Sequence, residues 1–157
     1  MFNITTCILS KSGNIKTNVR FHGSMPHILD DVIDIALEFN KIHPRSFEPG
    51  LRCISFAFNG SKLVEYGINK RKTHPFTKNY HDLLHTTQHA EANLTMKLLK
   101  HNSIKLITDI VIIRGTKHIL NSYPCPICFG LINMYFTKIR MWFFDHDNMA
   151  WKCELIN

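Results

Sequence analysis

One segment of this 157-residue sequence, residues 105–114, constrains the fold more than any other. Its apolar residues are nearly continuous and β-branched: Ile107, Ile110, Val111, Ile112 and Ile113. A strand that is apolar on both faces must be covered on both faces, as in the middle of a sheet that carries helices on each side. The segment therefore predicts the central strand of an α/β sandwich.

Three other segments carry helical patterns. Apolar residues recur at helical spacing over residues 26–41 and again over residues 89–100. A third helix is expected to open near Cys125, because Pro126 suits the first helical position and an apolar face continues to Tyr135. We expect these helices to enclose the sheet.

Four more segments have the composition of strands: residues 52–58, 62–68, 138–144 and 151–156. Asn59-Gly60 suits the positive φ angles of a tight turn and predicts an antiparallel hairpin between the first two. The turn-like residues 145–148 predict a second hairpin at the C-terminal end. After an opening helix, the order β-β-α-β-α-β-β predicts an α/β fold, a three-layer α/β/α sandwich with a five-stranded mixed sheet.

Length and composition predict one globular domain over residues 1–157, with 45% apolar and 20% charged residues. Residues 1–23 form a poorly readable N-terminal extension, because their alternation is too weak to assign strands. Residues 69–87 are polar and are interrupted by Pro75, which predicts a long loop. Long ordered loops in compact domains are usually functional.

The formal net charge of +7 favours an anionic partner, but it does not distinguish a nucleotide from a nucleic acid or an acidic surface. No stretch approaches the roughly 18 to 20 apolar residues needed to cross a bilayer, and the start lacks a signal-peptide pattern. The five cysteines are unlike a secreted disulfide framework. We therefore expect a cytoplasmic protein with no membrane partner.

Two short motifs carry the chemistry: His89-Ala90-Glu91 and Pro124-Cys125-Pro126-Ile127-Cys128. The first has a plain alternative when it is taken alone, because a glutamate in the first turn of a helix often serves only the helix dipole. The second is much rarer, and the pair together indicates a metal site. One histidine and two thiolates leave one tetrahedral position of a zinc ion open, which is the mark of a catalytic site.

Glu91 lies two residues beyond His89, where it is placed to touch a metal-bound water and to move its proton. A structural zinc site would need another ligand pair, but the remaining cysteines are isolated in strand-like segments: Cys7, Cys53 and Cys153. We expect these three to be small buried apolar side chains. The helix, strand and loop between His89 and Cys125 are expected to bring both helix N-termini to the same end of the sheet.

At these residues the sequence resembles the cytidine deaminase superfamily of zinc-dependent nucleobase deaminases, which share the His-x-Glu and Pro-Cys-x-x-Cys motifs. The resemblance covers roughly residues 50–145. It implies the cytidine deaminase fold, a homo-oligomer, a Zn²⁺ ion held by His89, Cys125 and Cys128, and Glu91 as the catalytic proton carrier. The implied reaction is hydrolytic deamination of a cytosine nucleotide or nucleoside (dCMP, deoxycytidine or cytidine) to the uracil product and ammonia.

The resemblance also implies contacts with the small-molecule substrate. Gly67-Ile68-Asn69 is similar to the family's second strand and the asparagine that binds the sugar. Ala90, Tyr123 and Pro124 are implied to lie against the base. A C-terminal hairpin is typical of the free-nucleoside branch, whereas the loop from Lys70 to Gln88, which is longer and more basic than in compact nucleoside deaminases, would suit a substrate phosphate.

Two alternatives stay open. A deaminase acting on bases in single-stranded DNA or RNA is supported by the positive charge, but the interleaved aromatic and basic stripe expected for stacking is missing, so nucleic acid is not favoured. The other alternative is a non-catalytic zinc-binding interaction module. Glu91 argues against it, because a structural site needs no proton carrier.

Overall fold

The computed structural model describes residues 8–10, 13–43, 52–70, 88–115 and 118–157. Within these ranges the helices with defined bounds are α1 (Met25–Ile42), α2 (Ala90–Lys100) and α3 (Pro126–Tyr135), and Ile104–Leu106 is a 3₁₀ turn. The strands are β1 (Val19–Arg20), β2 (Cys53–Asn59), β3 (Lys62–Ile68), β4 (Asp109–Gly115), β5 (Ile119–Leu120), β6 (Ile139–Asp145) and β7 (Ala150–Ile156). Cys7 and residues 71–87 of the predicted loop lie outside the described residues.

The sheet is mixed. β2 is antiparallel to β3 and β4, β4 is parallel to β6, and β6 is antiparallel to β7. The described strands are ordered β1-β3-β2-β4-β6-β7, and β5 pairs with β4. Five of them are the predicted strands, but β1 and β5 raise the number to seven, so the predicted five-stranded sheet is wrong in this detail. Each added strand is two residues long and has too few residues to show a periodic pattern.

Helices cover both faces of the sheet. The buried residues of α1 share one apolar cluster with Phe56 and Phe58 of β2. Buried residues of α2 and α3 share a second cluster with Ala57, which lies between those two phenylalanines. Successive strand residues point to opposite faces, so the two clusters lie on opposite sides of the sheet. β4 contributes alternate residues to both clusters, which confirms it as a doubly covered strand.

The strand predicted at residues 105–114 begins later than expected, at Asp109. The 3₁₀ turn occupies residues 104–106, and pairing starts only where Phe58 of β2 lies opposite Asp109. The apolar run therefore begins before a partner strand is available. No helix of the described residues is long and apolar enough to span a membrane.

One edge of the sheet gathers the ends of several elements. β3 and β4 are each antiparallel to β2, and β6 is parallel to β4, so the carboxyl ends of β3, β4 and β6 lie at the same edge. In chain order α2 follows β3, and α3 follows β4 and β5. The two helices consequently start at this edge, as the sequence predicted.

Candidate metal centre

His89 occupies the N-cap position of α2, directly before the first helical residue. Its neighbour Gln88 exchanges two backbone hydrogen bonds with Lys70, of 2.8 and 2.9 Å. This antiparallel bridge continues the line of β3, and its register places Asn69 opposite His89. The end of β3 thereby positions the first predicted ligand.

Cys125 occupies the N-cap position of α3, and Pro126 is the first helical residue. Proline suits that position because its φ angle is helical and the missing N–H has no helical acceptor. The carbonyl of Cys125 accepts the N–H of Phe129 at 2.9 Å, which closes the first turn. Cys128 lies in that turn and is fully buried. Both sulfur atoms are therefore held at one helix N-terminus.

The three predicted ligands converge. The Sγ atoms of Cys125 and Cys128 lie 3.4 and 3.5 Å from Nδ1 of His89, and the three ligand atoms are all within 4.8 Å of one another. Tetrahedral zinc, with bonds of about 2.3 Å to sulfur and about 2.0 Å to nitrogen, separates a nitrogen and a sulfur ligand by about 3.5 Å. The residues present therefore fit a zinc ion with Nδ1 as the histidine ligand atom.

The pKa values of the Cys125 and Cys128 thiols are shifted in opposite directions. The pKa of Cys125 is lowered to about 3, chiefly by a hydrogen bond from the side chain of Cys128, with smaller contributions from His89 and the backbone N–H of Cys128. The pKa of Cys128 is raised, because its thiol donates that bond and is buried. Cys125 is thus a thiolate at neutral pH, which is the form that binds metals.

Glu91 is the second residue of α2 and is buried. Burial raises the pKa of its carboxyl group, while its own backbone N–H and His89 act in the opposite direction. Cys125 also raises that pKa through its charge, and Glu91 lies two residues beyond His89 in the chain. A general acid or base in an active site often has its pKa raised by burial in this way.

Gly67 lets α2 approach the sheet closely enough to form this centre. A Cβ atom at residue 67 would lie 2.3 Å from the carbonyl oxygen of Ala90 and 2.5 Å from the backbone nitrogen of Leu94. Both contacts are shorter than any real Cβ contact with backbone. Glycine within a strand often marks such an approach, and here the approaching backbone is the turn of α2 that carries Glu91.

Two of the residues predicted to contact substrate lie beside the cluster. Asn69 is buried, and its Oδ1 accepts a hydrogen bond from the backbone N–H of Cys53 at 3.0 Å. Ala90 is buried where α2 passes Gly67. The structure thus gives Asn69 a role in joining the end of β3 to the start of β2, and the substrate contacts of both residues stay predictions.

The other two predicted contact residues lie in the segment that leads into α3. The Tyr123 ring is 45% exposed and packs edge-to-face on Phe143, with ring centroids 4.8 Å apart. Pro124 is buried. Ser122, which sequence reasoning missed, fixes this segment to β6, since its hydroxyl accepts the N–H of Phe144 at 2.8 Å and its N–H donates to the Phe144 carbonyl at 3.1 Å.

Further residues near the centre were also missed. Asn93 is buried in α2, and its Oδ1 accepts the N–H of Ile68 at 3.1 Å, which ties the helix to β3. An asparagine inside a helix is a poor helix former, and this was the available signal.

Cys53 is half-buried, and the pKa of its thiol is raised by burial and then by the charge of Glu91. The expectation that Cys153 is buried is wrong: it is exposed on β7, because α1 does not cover that part of the sheet.

Comparison with solved structures places this architecture among known folds. The cytidine deaminase of Burkholderia pseudomallei superposes with a TM-score of 0.51 at 12% identity, over 78% of this chain and 91% of that chain. The cytidine deaminase of Mycobacterium leprae gives a TM-score of 0.50 at 14% identity, over 78% of this chain and 88% of that chain. No protein-family model and no curated protein matches the sequence. The chain has the fold of these cytidine deaminases.

Proposed function

We propose that this chain is a zinc-dependent hydrolase that deaminates a cytosine nucleoside or nucleotide. One observation carries the proposal: two sulfur atoms lie 3.4 and 3.5 Å from a single histidine nitrogen, and Glu91, two residues beyond that histidine, is buried. The shared fold with solved cytidine deaminases supports it independently. A structural zinc site would not need a buried carboxyl group next to its ligands.

His89, Cys125 and Cys128 are the residues that would hold the metal. Three protein ligands would leave one tetrahedral position of a zinc ion for a water molecule. A zinc ion bound there supplies Lewis acidity that activates a water molecule as the nucleophile. The lowered pKa of Cys125 gives the thiolate form that binds metals, and its position at the N-terminus of α3 favours the same form.

Glu91 would act as the general base and general acid of the reaction. Its carboxylate accepts one proton from the attacking water and passes it to N3 of the cytosine ring, and it then takes the second proton from the new hydroxyl group on C4 and passes it to the departing amine. The C4–N bond breaks, oxygen from water takes its place, and the products are the uracil compound and ammonia. Burial raises the pKa of the Glu91 carboxyl group, as is typical of a carboxyl group that acts as a general acid.

We assign substrate contacts to Asn69 and Ala90 on one side of the cluster and to Tyr123 and Pro124 on the other. The antiparallel β6–β7 hairpin favours a free nucleoside or nucleotide over a base within a polynucleotide. Ala90, Pro124 and Cys128 are buried, so this part of the proposed site has little contact with solvent.

The test is to incubate the zinc-loaded protein with cytidine, deoxycytidine, their monophosphates and a single-stranded oligonucleotide, and to follow ammonia release. We expect turnover of a monomeric substrate, a loss of roughly 10² to 10⁴-fold in Glu91→Gln with zinc content unchanged, and no loss in Glu38→Gln, a partly exposed position on α1.

Each contrary result has a separate meaning. Absence of turnover on every compound would overturn the enzymatic function. Turnover of the oligonucleotide alone would assign the protein to the polynucleotide deaminases instead. Full activity in a zinc-loaded Glu91→Gln variant would refute the proton-transfer mechanism while leaving the class intact.

A further inference from the structure

The outer edge of β7 has no partner strand among the described residues. Its open backbone groups can be assigned from β6. The N–H of Phe144 donates to the hydroxyl of Ser122, and the N–H of Arg140 donates to the carbonyl of Thr108, so alternate residues of β6 direct their backbone groups away from β7. The residues opposite them on β7 direct their N–H and C=O groups outward: Trp151, Cys153 and Leu155.

The same three side chains lie on the face of the sheet that α1 covers elsewhere. Trp142 and Trp151 are only partly buried against the α1 cluster, Cys153 is exposed, and Leu155 is 61% exposed. An unpaired seven-residue strand with exposed apolar side chains is a template for pairing with another chain. Within the described part of the chain, nothing covers this strand edge.

We propose that β7 pairs antiparallel with β7 of a second copy of this chain, about a twofold axis through Cys153. In this register Lys152 lies opposite Glu154 of the partner subunit, and the relation is repeated by symmetry. Trp151 likewise lies opposite Leu155 of the partner subunit. The pairing is isologous, as closed dimers require, and joins the two sheets into one.

Charge selects this register over its neighbours. A twofold axis through Lys152 would put two lysines opposite each other, and an axis through Glu154 would do the same with two glutamates. Like charges that are directly opposite destabilise an antiparallel pair, whereas opposite charges stabilise it. The register centred on Cys153 also pairs all seven residues of the strand, which more terminal axes cannot do.

Both charged residues also have contacts within their own chain. Lys152 forms an ion pair with Asp145, and Glu154 lies near the hydroxyl group of Tyr123, whose pKa is raised by burial and by that carboxylate. A single charge reversal therefore changes an intramolecular contact as well as the proposed interface. A double variant, K152E/E154K, restores charge complementarity at the interface and so separates the two effects.

The test measures mass by sedimentation equilibrium over a wide range of protein concentration. We expect a reversible rise to twice the 18.3 kDa of the chain. Lys152→Glu should raise the dissociation constant at least about tenfold, the double variant K152E/E154K should restore it, and Lys105→Glu, the same change at an exposed position elsewhere, should leave it unchanged.

Leu155→Arg provides a second variant that replaces no charged side chain, although its new side chain lies opposite Arg140 of β6, and it should be monomeric while retaining the wild-type circular dichroism spectrum. A short bifunctional maleimide should cross-link the wild-type dimer and fail with Cys153→Ser. A chain that is monomeric at every concentration, or a dimer that withstands both Leu155→Arg and Lys152→Glu, would overturn the proposal. So would a cross-link that persists in Cys153→Ser.

Discussion

Replacing Gly67 by alanine tests whether close approach of α2 to β3 builds the metal centre. The new Cβ would lie 2.3 Å from the Ala90 carbonyl oxygen and 2.5 Å from the Leu94 nitrogen. Both obstacles are backbone atoms, so no rotamer change relieves them. An ordinary contact needs 3.4 Å or more, and the start of α2 must therefore withdraw from the sheet by about 1 Å.

The displacement has two consequences of different size. Overpacking of this kind destabilises the folded state by about 1 to 3 kcal/mol. The moving turn also carries His89 and Glu91, and a misplacement of about 1 Å at a catalytic group costs on the order of 10²-fold in rate. We therefore expect Gly67→Ala to lose turnover and zinc affinity by more than its loss of stability explains.

Gly130→Ala is the matched control, since it adds the same methyl group to an exposed helical position with nothing within 4 Å. It should raise the free energy of unfolding by about 0.5 to 1 kcal/mol, because alanine is the better helix former. Urea unfolding and zinc titration against a competing chelator measure both variants. A Gly67→Ala protein with wild-type stability and wild-type zinc affinity would refute the argument.

Asp109→Ala should destabilise the fold by about 2 to 4 kcal/mol in urea unfolding, because the buried carboxylate accepts the indole N–H of Trp142 at 2.8 Å and that donor would lose its partner. Hydrogen bonds from Lys152 and Asn148 lower the pKa of Asp145 from the usual 3.8 to about 2. The ionised carboxylate therefore stabilises the folded state fully above about pH 4, and this stabilisation is lost as the pH falls toward 2. The difference in unfolding free energy between wild type and Asp145→Asn should therefore shrink over that window, and a constant difference would contradict it. Removing zinc with a chelator should lower Tm. At a zinc concentration a thousandfold above Kd, zinc binding should add about 4 kcal/mol to the free energy of unfolding, and this increment should be absent in Cys128→Ala.

Local signals predicted much of the sheet. The hairpin predicted at Asn59-Gly60 is present, and Gly60 has φ +60°, but Asn59 pairs with Lys62 at the end of β2, so the turn residues are Gly60 and Ser61. The β-branched run became β4, because a strand buried on both faces needs apolar residues at every position. The cluster of His89 with Cys125 and Cys128 was also predictable, since each motif names a helix start and the topology brings both starts to one edge.

Other features depend on partners distant in sequence and leave no local trace. The side chain of Ser122 supports the segment before α3 only because Phe144 passes beside it in the folded chain. Asp109 would be unsuited to a buried strand, and it is stable there because Arg140 pairs with it at 2.7 Å. β1 is a strand because it pairs with β3, and a two-residue segment is too short to show the periodic pattern that would predict this pairing.

The C-terminal hairpin connects the topology of the sheet with its open edge. Only four turn residues separate β6 from β7, whereas a crossover to a parallel strand needs about a dozen or more and would lay a helix across the sheet. Among the described residues, α1 covers this face over β2 and β4 and leaves Trp142 and Trp151 only partly buried. The antiparallel ending thus leaves face and edge free for a second copy.

The open edge and the metal centre should behave independently, because the ligands lie on α2 and α3 and none lies on β7. A monomeric Leu155→Arg protein is therefore expected to bind zinc and to turn over substrate as the wild type does, measured at a concentration where the wild type is dimeric. If the monomer loses zinc, β7 must support the cluster across the chain, and the contact of Glu154 with Tyr123, two residues before Cys125, is the path by which it would do so.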